Sequence, residues 1–252
     1  GLYSTGLGHG DALHFGDLDP NREGYEVFNI QERFDDAGAN FRDAGSGAIL
    51  WKKPSVKAGH DGEGPGRGLA ANIDPRYPGA ECWVSGAQIQ GLFNATGERI
   101  SDRRPNSCNF AVWWDGDLQR ELLSGNKISK WNWRKETTEL LLEAGGAVSN
   151  NGTKATPALS ADLFGDWREE VIWRAEEGDE LRIYTTTIPT SHRFYTLMHD
   201  PIYRLGIAWQ NVAYNQPPHT SFYIGEDMND PGRPDIRVVE RGNNEQGIKK
   251  PE

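Results

Sequence analysis

The chain has 252 residues, of which 36% are hydrophobic and 25% are charged, and its formal net charge is −10. The acidic balance and the scattered basic residues argue against a nucleic-acid-binding protein, and no apolar run approaches the ~20 residues that a membrane helix needs. The 30 glycines and 14 prolines divide the sequence into many short segments, which predicts an all-β fold. The two cysteines, Cys82 and Cys108, fit either a disulfide or two buried thiols.

An acidic segment at residues 8–28, GHGDALHFGDLDPNREGYEVF, is the first feature along the chain. If this segment is extended, His9 and Asp11 lie on one face and His14 lies on the other, because side chains alternate along a strand. Histidine is a poor calcium ligand. The mixture of histidine and aspartate therefore predicts a site for an ion other than calcium, or for a metal at the edge of a cleft. We expect Asp11 and His14 to be metal ligands that face a central channel.

A sequence repeat with a period of about 40–50 residues organises the chain. The stretch GDLDPNREGYEVFNI (residues 16–30) resembles ANIDPRYPGAECWVS (71–85), and looser copies occur at residues 160–174 and 113–123. The aspartates that mark the four copies are 55, 43 and 45 residues apart: Asp19, Asp74, Asp117 and Asp162. Such a period, with several short strands per unit, is typical of the blades of a β-propeller.

Three of the copies carry a glutamate seven residues after the aspartate. The pairs are Asp19 and Glu26, Asp74 and Glu81, and Asp162 and Glu169, with Asp17 as a further carboxylate in the first copy. Ca²⁺ takes about six to eight oxygen ligands, so the carboxylates and carbonyls of a bent loop can converge on one ion, and the copies predict several calcium ions. The alternative is an Asp-rich hairpin turn, whose side chains accept hydrogen bonds from local backbone N–H groups.

Several strings resemble family 11 polysaccharide lyases, the bacterial rhamnogalacturonan lyases. They are GHGDALHFGDLDP, GRGLAANIDPRYPGAE, NNGTKATPALSADLFGDWREEVIWR and YNQPPHTSFYIG, and they run in order from residue 8 to residue 225. The resemblance implies an eight-bladed, calcium-rich β-propeller whose deep cleft cuts the rhamnogalacturonan I backbone of pectin by β-elimination. It also implies secretion, because this polymer lies outside the cell.

The length of the chain leaves room for about five to six blades of about 45 residues each. The chain resembles the C-terminal part of the family's catalytic propeller. We therefore expect a single domain, residues 1–252, that is incomplete at its N-terminus. Its expected partners are the pectic polysaccharide and the missing N-terminal blades, with no nucleic acid and no membrane.

The reaction that the resemblance implies removes the C5 proton of a galacturonate residue and expels the oxygen at C4. The substrate carboxylate must be neutralised by Ca²⁺ or an arginine, a base must take the proton, and an acid or water must protonate the leaving oxygen. A lysine or arginine serves as the base only if its neutral form is accessible, which burial and positive neighbours favour.

Lys154 is the first base candidate and lies in the string SNNGTKATP. The pair Asn151-Gly152 is a strong turn signal, so the residues alone indicate an exposed turn lysine. The resemblance implies instead that Lys154 projects into the cleft as the base. It also implies that the loop of Asn151, Gly152 and Thr153 contacts sugar.

Arg67 and Tyr214 complete the predicted catalytic set. Arg67 has a glycine on each side, so a substrate can approach the guanidinium, whose fork suits a carboxylate. A loop arginine paired with Asp61 or Glu63 is the alternative, and Tyr214 has the alternative of packing against its neighbours. The resemblance implies that Arg67 is a carboxylate clamp or second base candidate and that Tyr214 points at the sugar.

Other functions stay open from the residues. A non-catalytic calcium-binding propeller that binds carbohydrate or protein predicts that Lys154, Arg67 and Tyr214 do not converge. A glycoside hydrolase needs two carboxylates at a defined separation near the cleft, and no motif singles out such a pair. A fragment that has lost its function together with the missing blades is the third alternative.

Overall fold

Short antiparallel strands make up most of the regular structure, as the turn-rich sequence predicts. The computed structural model describes residues 2, 4–7, 9–31, 38–55, 66–86, 88–212 and 216–236. Within these residues, 16 strands form four sheets that follow one another along the chain.

The first three sheets are meanders, in which each strand pairs with the next strand of the chain. The first sheet consists of β1 (Gly10–Gly16), β2 (Glu26–Gln31), β3 (Gly38–Asp43) and β4 (Ile49–Pro54). The second sheet consists of β5 (Arg67–Ala71), β6 (Glu81–Ser85), β7 (Leu92–Phe93) and β8 (Arg99–Ser101). The third sheet consists of β9 (Phe110–Val112), β10 (Glu121–Ser124), β11 (Lys127–Asn132) and β12 (Thr137–Glu143).

The fourth sheet departs from this pattern. It consists of β13 (Ala147–Val148), β14 (Leu159–Ala161), β15 (Glu170–Ala175) and β16 (Leu181–Tyr184). β16 pairs along one edge of β15, and both β13 and β14 pair along the other edge. Residues 149–158 leave the sheet between β13 and β14 and form the loop that we call the Lys154 loop.

The architecture corrects the prediction of a β-propeller of five to six blades. In the described residues the all-β class is present, but the sheets number four and remain separate and open, because no strand of the fourth sheet pairs with the first. The structure is therefore an all-β protein of four sheets stacked in chain order. A sequence period reports the repeating unit, whereas the number of units and their closure depend on packing that the period does not encode. The described residues after β16 form no further strand.

Apolar side chains between successive sheets form the core. Phe28 and Phe41 of the first sheet pack with Phe93 of the second, and further clusters join the second sheet to the third and the third to the fourth. Both cysteines lie in this core, Cys82 in the first cluster and Cys108 in the second, as buried thiols without a disulfide.

A helical region and a C-terminal segment follow the fourth sheet. A short 3₁₀ helix (Leu197–His199) leads into α1 (Pro201–Trp209), whose N-cap Asp200 accepts a hydrogen bond from the Ile202 N–H. The C-terminal segment (residues 216–225) then crosses the ends of the first three sheets. Three hydrogen bonds attach it to these sheets. The Asp17 N–H donates to the Thr220 carbonyl, the Asn72 side-chain amide to the Ile224 carbonyl, and the Arg120 guanidinium to the Pro218 carbonyl. No helix among the described residues is long and apolar enough to cross a membrane.

A pair of equivalent glycines tests how tightly the first two sheets pack. Gly24 and Gly79 each lie two residues before the repeat glutamate, with φ of +106° and +100°. A Cβ on Gly79 would lie 2.7 Å from the Leu18 carbonyl oxygen and 2.9 Å from the Ala95 Cβ, whereas a Cβ on Gly24 would meet nothing within 4 Å. We expect Gly79→Ala to lower the free energy of unfolding in urea by about 1–3 kcal/mol more than Gly24→Ala does. Equal losses would show that the two sheets separate easily here.

Candidate active site

The Lys154 loop is a tight turn that its own polar groups stabilise. The Asn151 Oδ1 accepts hydrogen bonds from the N–H groups of Lys154 at 2.6 Å and Ala155 at 3.2 Å. Ala155 takes a left-handed backbone conformation with φ of +53°. Residues 151–153 are exposed and Lys154 is half-buried, so the loop presents a polar surface while its stem is fixed.

Arg67 reaches this loop from the second sheet. Its Nη2 donates a hydrogen bond to the Thr153 carbonyl at 3.3 Å, and its Nη1 donates one to the Gly66 carbonyl at 3.4 Å. A third contact comes from the third sheet, where the Gly125 N–H donates to the Ala155 carbonyl at 2.9 Å. The structure thus brings the Arg67 guanidinium to the backbone of the loop that carries Lys154, although 86 positions separate Arg67 from Thr153.

A second arginine, Arg104, follows the last strand of the second sheet. Burial raises the pKa of the Cys108 thiol to about 11, and the positive charges of Arg104 and Arg67 act in the opposite direction. Arg104 also donates a hydrogen bond to the Pro105 carbonyl at 3.2 Å. The third predicted catalytic residue, Tyr214, lies outside the described residues.

The repeat glutamates have a backbone-capping role. One lies at the first position of the second strand in each of the first three sheets and at the first position of β15 in the fourth, and each is buried: Glu26, Glu81, Glu121 and Glu170. Each accepts hydrogen bonds from two successive backbone N–H groups upstream. The hairpin-turn alternative expects side chains that accept hydrogen bonds from local backbone N–H groups, and these glutamates do so. In the fourth copy the capping glutamate is Glu170, the neighbour of the predicted calcium ligand Glu169.

Two of these glutamates still carry an acceptor oxygen that no hydrogen bond from the described residues satisfies. They are Glu81 and Glu26, and the Glu26 Oε1 forms an ion pair with the Arg22 Nε at 3.6 Å but accepts no hydrogen bond. Burial raises the pKa of Glu26 to about 7 and that of Glu81 well above its usual range. The Oδ1 of Asp17 is likewise buried without a partner. Such oxygens are what a hard cation coordinates, so the first two copies fit the predicted calcium.

The predicted aspartate partners already take part in local bonds. Asp19 accepts from the Asn21 N–H at 3.1 Å, and Asp74 forms an ion pair with Arg76 at 2.6 Å. In the described residues, the sets predicted from the repeat do not form a group of three carboxylates with ligand atoms all within 4.8 Å of one another. An ion in these loops would therefore need backbone carbonyl oxygens or water as well.

The third sheet contains the carboxylate group that does converge in this way. Asp115, Asp117 and Glu121 place ligand oxygens within 4.8 Å of one another. The Lys130 ammonium lies among them, 2.7 Å from Asp117 and 2.8 Å from Glu121, and it also contacts Asp115. A side-chain cation thus balances the negative charge in this copy.

The predicted ligands of the fourth copy, Asp162 and Glu169, meet at the Tyr203 hydroxyl. This hydroxyl donates to the Glu169 carboxylate at 2.8 Å and accepts from the Asp162 N–H at 2.9 Å. Glu169 also accepts from the Trp113 N–H at 2.9 Å and lies 3.4 Å from the buried Arg120. The Glu169 carboxylate therefore connects the fourth sheet to α1 and to the third sheet, and the Asp162 backbone N–H adds a second contact to α1.

The two predicted ligands of the first segment, Asp11 and His14, occupy different environments. Asp11 is buried with its Oδ1 3.4 Å from the His9 Nε2. His14 is fully buried, with its Nε2 3.1 Å from the Gly68 carbonyl and its Nδ1 3.0 Å from the His219 Nε2. Burial lowers the pKa of His14 to about 4, so the ring is neutral and supports the strand that begins at Arg67. His14 contacts buried polar groups here rather than an open channel.

Comparisons with known proteins agree with this reading of the sequence. Residues 1–234 match the model of the rhamnogalacturonan lyase family 11 C-terminal domain. The chain is 59% identical to the rhamnogalacturonan endolyase YesW of Bacillus subtilis (strain 168), over 94% of the chain and 37% of that protein. It is 55% identical to the rhamnogalacturonan exolyase YesX of the same organism, over 95% of the chain and 40% of that protein.

A solved structure gives the same result. The rhamnogalacturonan lyase PL11 of Bacillus licheniformis superposes with a TM-score of 0.87 at 58% identity, covering 94% of this chain and 39% of that one. The chain thus spans about two fifths of the length of these relatives, and the family resemblance is confirmed. The chain belongs to rhamnogalacturonan lyase family 11 and corresponds to its C-terminal domain.

Proposed function

We propose that this chain carries catalytic residues of a rhamnogalacturonan lyase, which cleaves the rhamnogalacturonan I backbone of pectin by β-elimination at galacturonate. Relatives at 55–59% identity bear the names of a rhamnogalacturonan endolyase and exolyase. The observation that carries the proposal is the hydrogen bond from Arg67 to the Thr153 carbonyl, which places a guanidinium beside the loop of Lys154.

The chemistry needs these two basic side chains in different roles. The Arg67 guanidinium binds the galacturonate carboxylate and stabilises the negative charge that develops next to C5. Lys154 in its neutral form takes the C5 proton, the bond between C4 and oxygen breaks, and a double bond forms between C4 and C5. Tyr214 or water supplies the proton that the leaving oxygen needs, and the exposed residues 151–153 contact the neighbouring sugars.

The contact between the second and fourth sheets favours a lyase over a non-catalytic carbohydrate-binding module. A binding module needs aromatic platforms and hydrogen-bond donors, but it does not need a lysine held beside an arginine. Five of the six tryptophans between residues 113 and 173 are buried: Trp113, Trp114, Trp131, Trp167 and Trp173. They contribute to the core and leave little area for stacking against sugar.

Calcium belongs to the proposal as a structural cofactor of the first two repeat copies. Asp17, Asp19 and Glu26 would hold one ion, and Asp74 and Glu81 a second. When bound, calcium supplies positive charge for these buried carboxylates. The Oε1 oxygens of Glu26 and Glu81, which accept no hydrogen bond from the described residues, support this assignment. Because the polymer substrate lies outside the cell, we also propose that the protein is secreted.

Removal of one calcium ligand tests the metal assignment. We expect Glu81→Gln to bind one calcium ion fewer than the parent after dialysis against dilute Ca²⁺, as counted by inductively coupled plasma mass spectrometry, because a neutral amide is a weaker ligand. The matched variant Glu121→Gln should keep the parent's count, since Lys130 already balances that site. A parent without calcium, or a Glu81→Gln variant with an unchanged count, would contradict the assignment.

An activity assay tests the lyase itself. Rhamnogalacturonan I is incubated with the chain, and with a chimera in which the chain replaces the matching part of the Bacillus subtilis endolyase. Ultraviolet absorbance of the unsaturated product is then recorded. We expect the absorbance to grow with the chimera, because the chimera contains Arg67 and the Lys154 loop together with the remainder of a family member. A folded chimera that produces no unsaturated product would overturn the proposal.

A further inference from the structure

Two side-chain amides at the end of helix α1 contact residues 157–160, which we call the stem of the Lys154 loop. Gln210 is buried, and its side chain accepts from the Ser160 N–H at 2.8 Å and donates to the Ser160 carbonyl at 3.0 Å. Asn211 donates through its Nδ2 to the carbonyls of Pro157 at 3.2 Å and Ala158 at 2.9 Å. The helix end is thereby attached to Pro157 and Ala158, the last two residues of the Lys154 loop, and to Ser160 of β14.

We propose that Asn211 is a positioning residue for Lys154, acting from α1 through the stem of the loop. The inference rests on the proposed lyase function. The loop has a contact from the second sheet at Thr153 and one from the third sheet at Ala155, and Asn211 adds one from the helical region at Pro157 and Ala158. Lys154 therefore lies on a segment whose carbonyls are held from three directions.

The carbonyl groups of the stem explain why a side-chain amide is needed to hold it. The Pro157 carbonyl accepts hydrogen bonds from two side-chain amides, the Nδ2 groups of Asn150 at 2.8 Å and Asn211 at 3.2 Å. An amide that donates to two successive carbonyls fixes both the position and the twist of the stem. A general base displaced by about 1 Å loses about 10²-fold in rate, so a loosened stem affects proton transfer before it affects binding.

Asn211 suits a test because its own side chain is exposed, and its replacement therefore leaves no buried cavity. In Asn211→Asp the shape is kept and both donor hydrogens are lost. Arg182→Ala is the matched control, since the Arg182 Nη1 also donates to two successive carbonyls of the same sheet region, Gly145 at 3.4 Å and Gly146 at 3.0 Å, outside the Lys154 loop.

Two measurements test separately whether Asn211 holds the loop and whether this affects catalysis. Hydrogen exchange of residues 149–158, followed by mass spectrometry, should be about tenfold faster in Asn211→Asp than in the parent and unchanged in Arg182→Ala. In the active form of the protein, kcat on rhamnogalacturonan I should fall about tenfold while KM changes less than about twofold, again without effect in the control.

Each outcome decides the inference. Unchanged exchange in Asn211→Asp would overturn the attachment of the loop, whatever the activity. Faster exchange with unchanged kcat would overturn the positioning role and leave the lyase function intact. A parent without lyase activity would overturn the catalytic half together with the proposed function, while the exchange data would still decide the structural half.

Discussion

Replacement of Lys154 by alanine should lower kcat on rhamnogalacturonan I by a factor of about 10²–10⁴, the usual contribution of a general base. The side chain starts from a loop that is fixed on both sides, by Asn151 within the loop and by Arg67 across the sheets. KM should change little, because the Arg67 guanidinium and the sugar-facing part of the loop remain. Initial rates of ultraviolet absorbance growth at several substrate concentrations give both constants.

Lys135→Ala is the control for loss of a positive charge alone. Lys135 is exposed and pairs with Glu139 at 3.1 Å on the third sheet, away from the Lys154 loop. Its replacement should leave both kcat and KM at the parent's values. Absorbance growth that persists at the parent's rate in Lys154→Ala would exclude Lys154 as the base and leave Arg67 as the remaining candidate.

Replacement of Glu169 by alanine should lower the free energy of unfolding by about 3–5 kcal/mol, because it leaves a buried charge without its partner. Arg120 is 2% exposed, and its guanidinium lies 3.4 Å from the Glu169 carboxylate and 4.0 Å above the Trp113 ring. The same change removes the acceptor of the Tyr203 hydroxyl. Urea denaturation followed by tryptophan fluorescence measures the loss.

The double variant Arg120→Met/Glu169→Leu shows how much of the lost stability comes from the unpaired Arg120 charge and how much comes from lost contacts. It should be more stable than Glu169→Ala, since replacing a buried ion pair by apolar groups of similar size is often nearly neutral. Glu180→Ala, which breaks the exposed pair with Arg182, should leave the unfolding midpoint unchanged. If Glu169→Ala unfolds at the parent's midpoint, the buried pair does not stabilise the connection between the third and fourth sheets.

The sequence pattern predicted the repeating unit well, because turn residues and buried glutamates recur in it. The stretch TTELLLEA, which fits a helix or a strand equally well from its residues, lies mostly in strand β12. The number of sheets and their open arrangement could not be predicted from the period, since the inserts between copies vary in length. The helix α1 was missed, although Asp200 and Pro201 form a recognisable N-cap and N1 pair.

Some features of the site could be predicted from the sequence and others could not. The proximity of Arg67 to the Lys154 loop follows from family resemblance, because no local pattern links residues so far apart in sequence. The capping role of Glu170 was not predicted, because the interval of seven residues from Asp162 leads to Glu169, whereas Glu170 lies eight residues after Asp162. The bonds of His14 to Gly68 and His219 depend on tertiary packing that a single sequence does not show.

The central claim is that Arg67 and the Lys154 loop form one substrate-binding site. A crystal structure of the Lys154→Ala variant with an uncleaved rhamnogalacturonan oligosaccharide tests it most directly. We predict that a galacturonate carboxylate lies within about 3 Å of the Arg67 guanidinium, with its C5 hydrogen directed at position 154 and neighbouring sugars against residues 151–153. A bound oligosaccharide that contacts neither Arg67 nor this loop would contradict the claim.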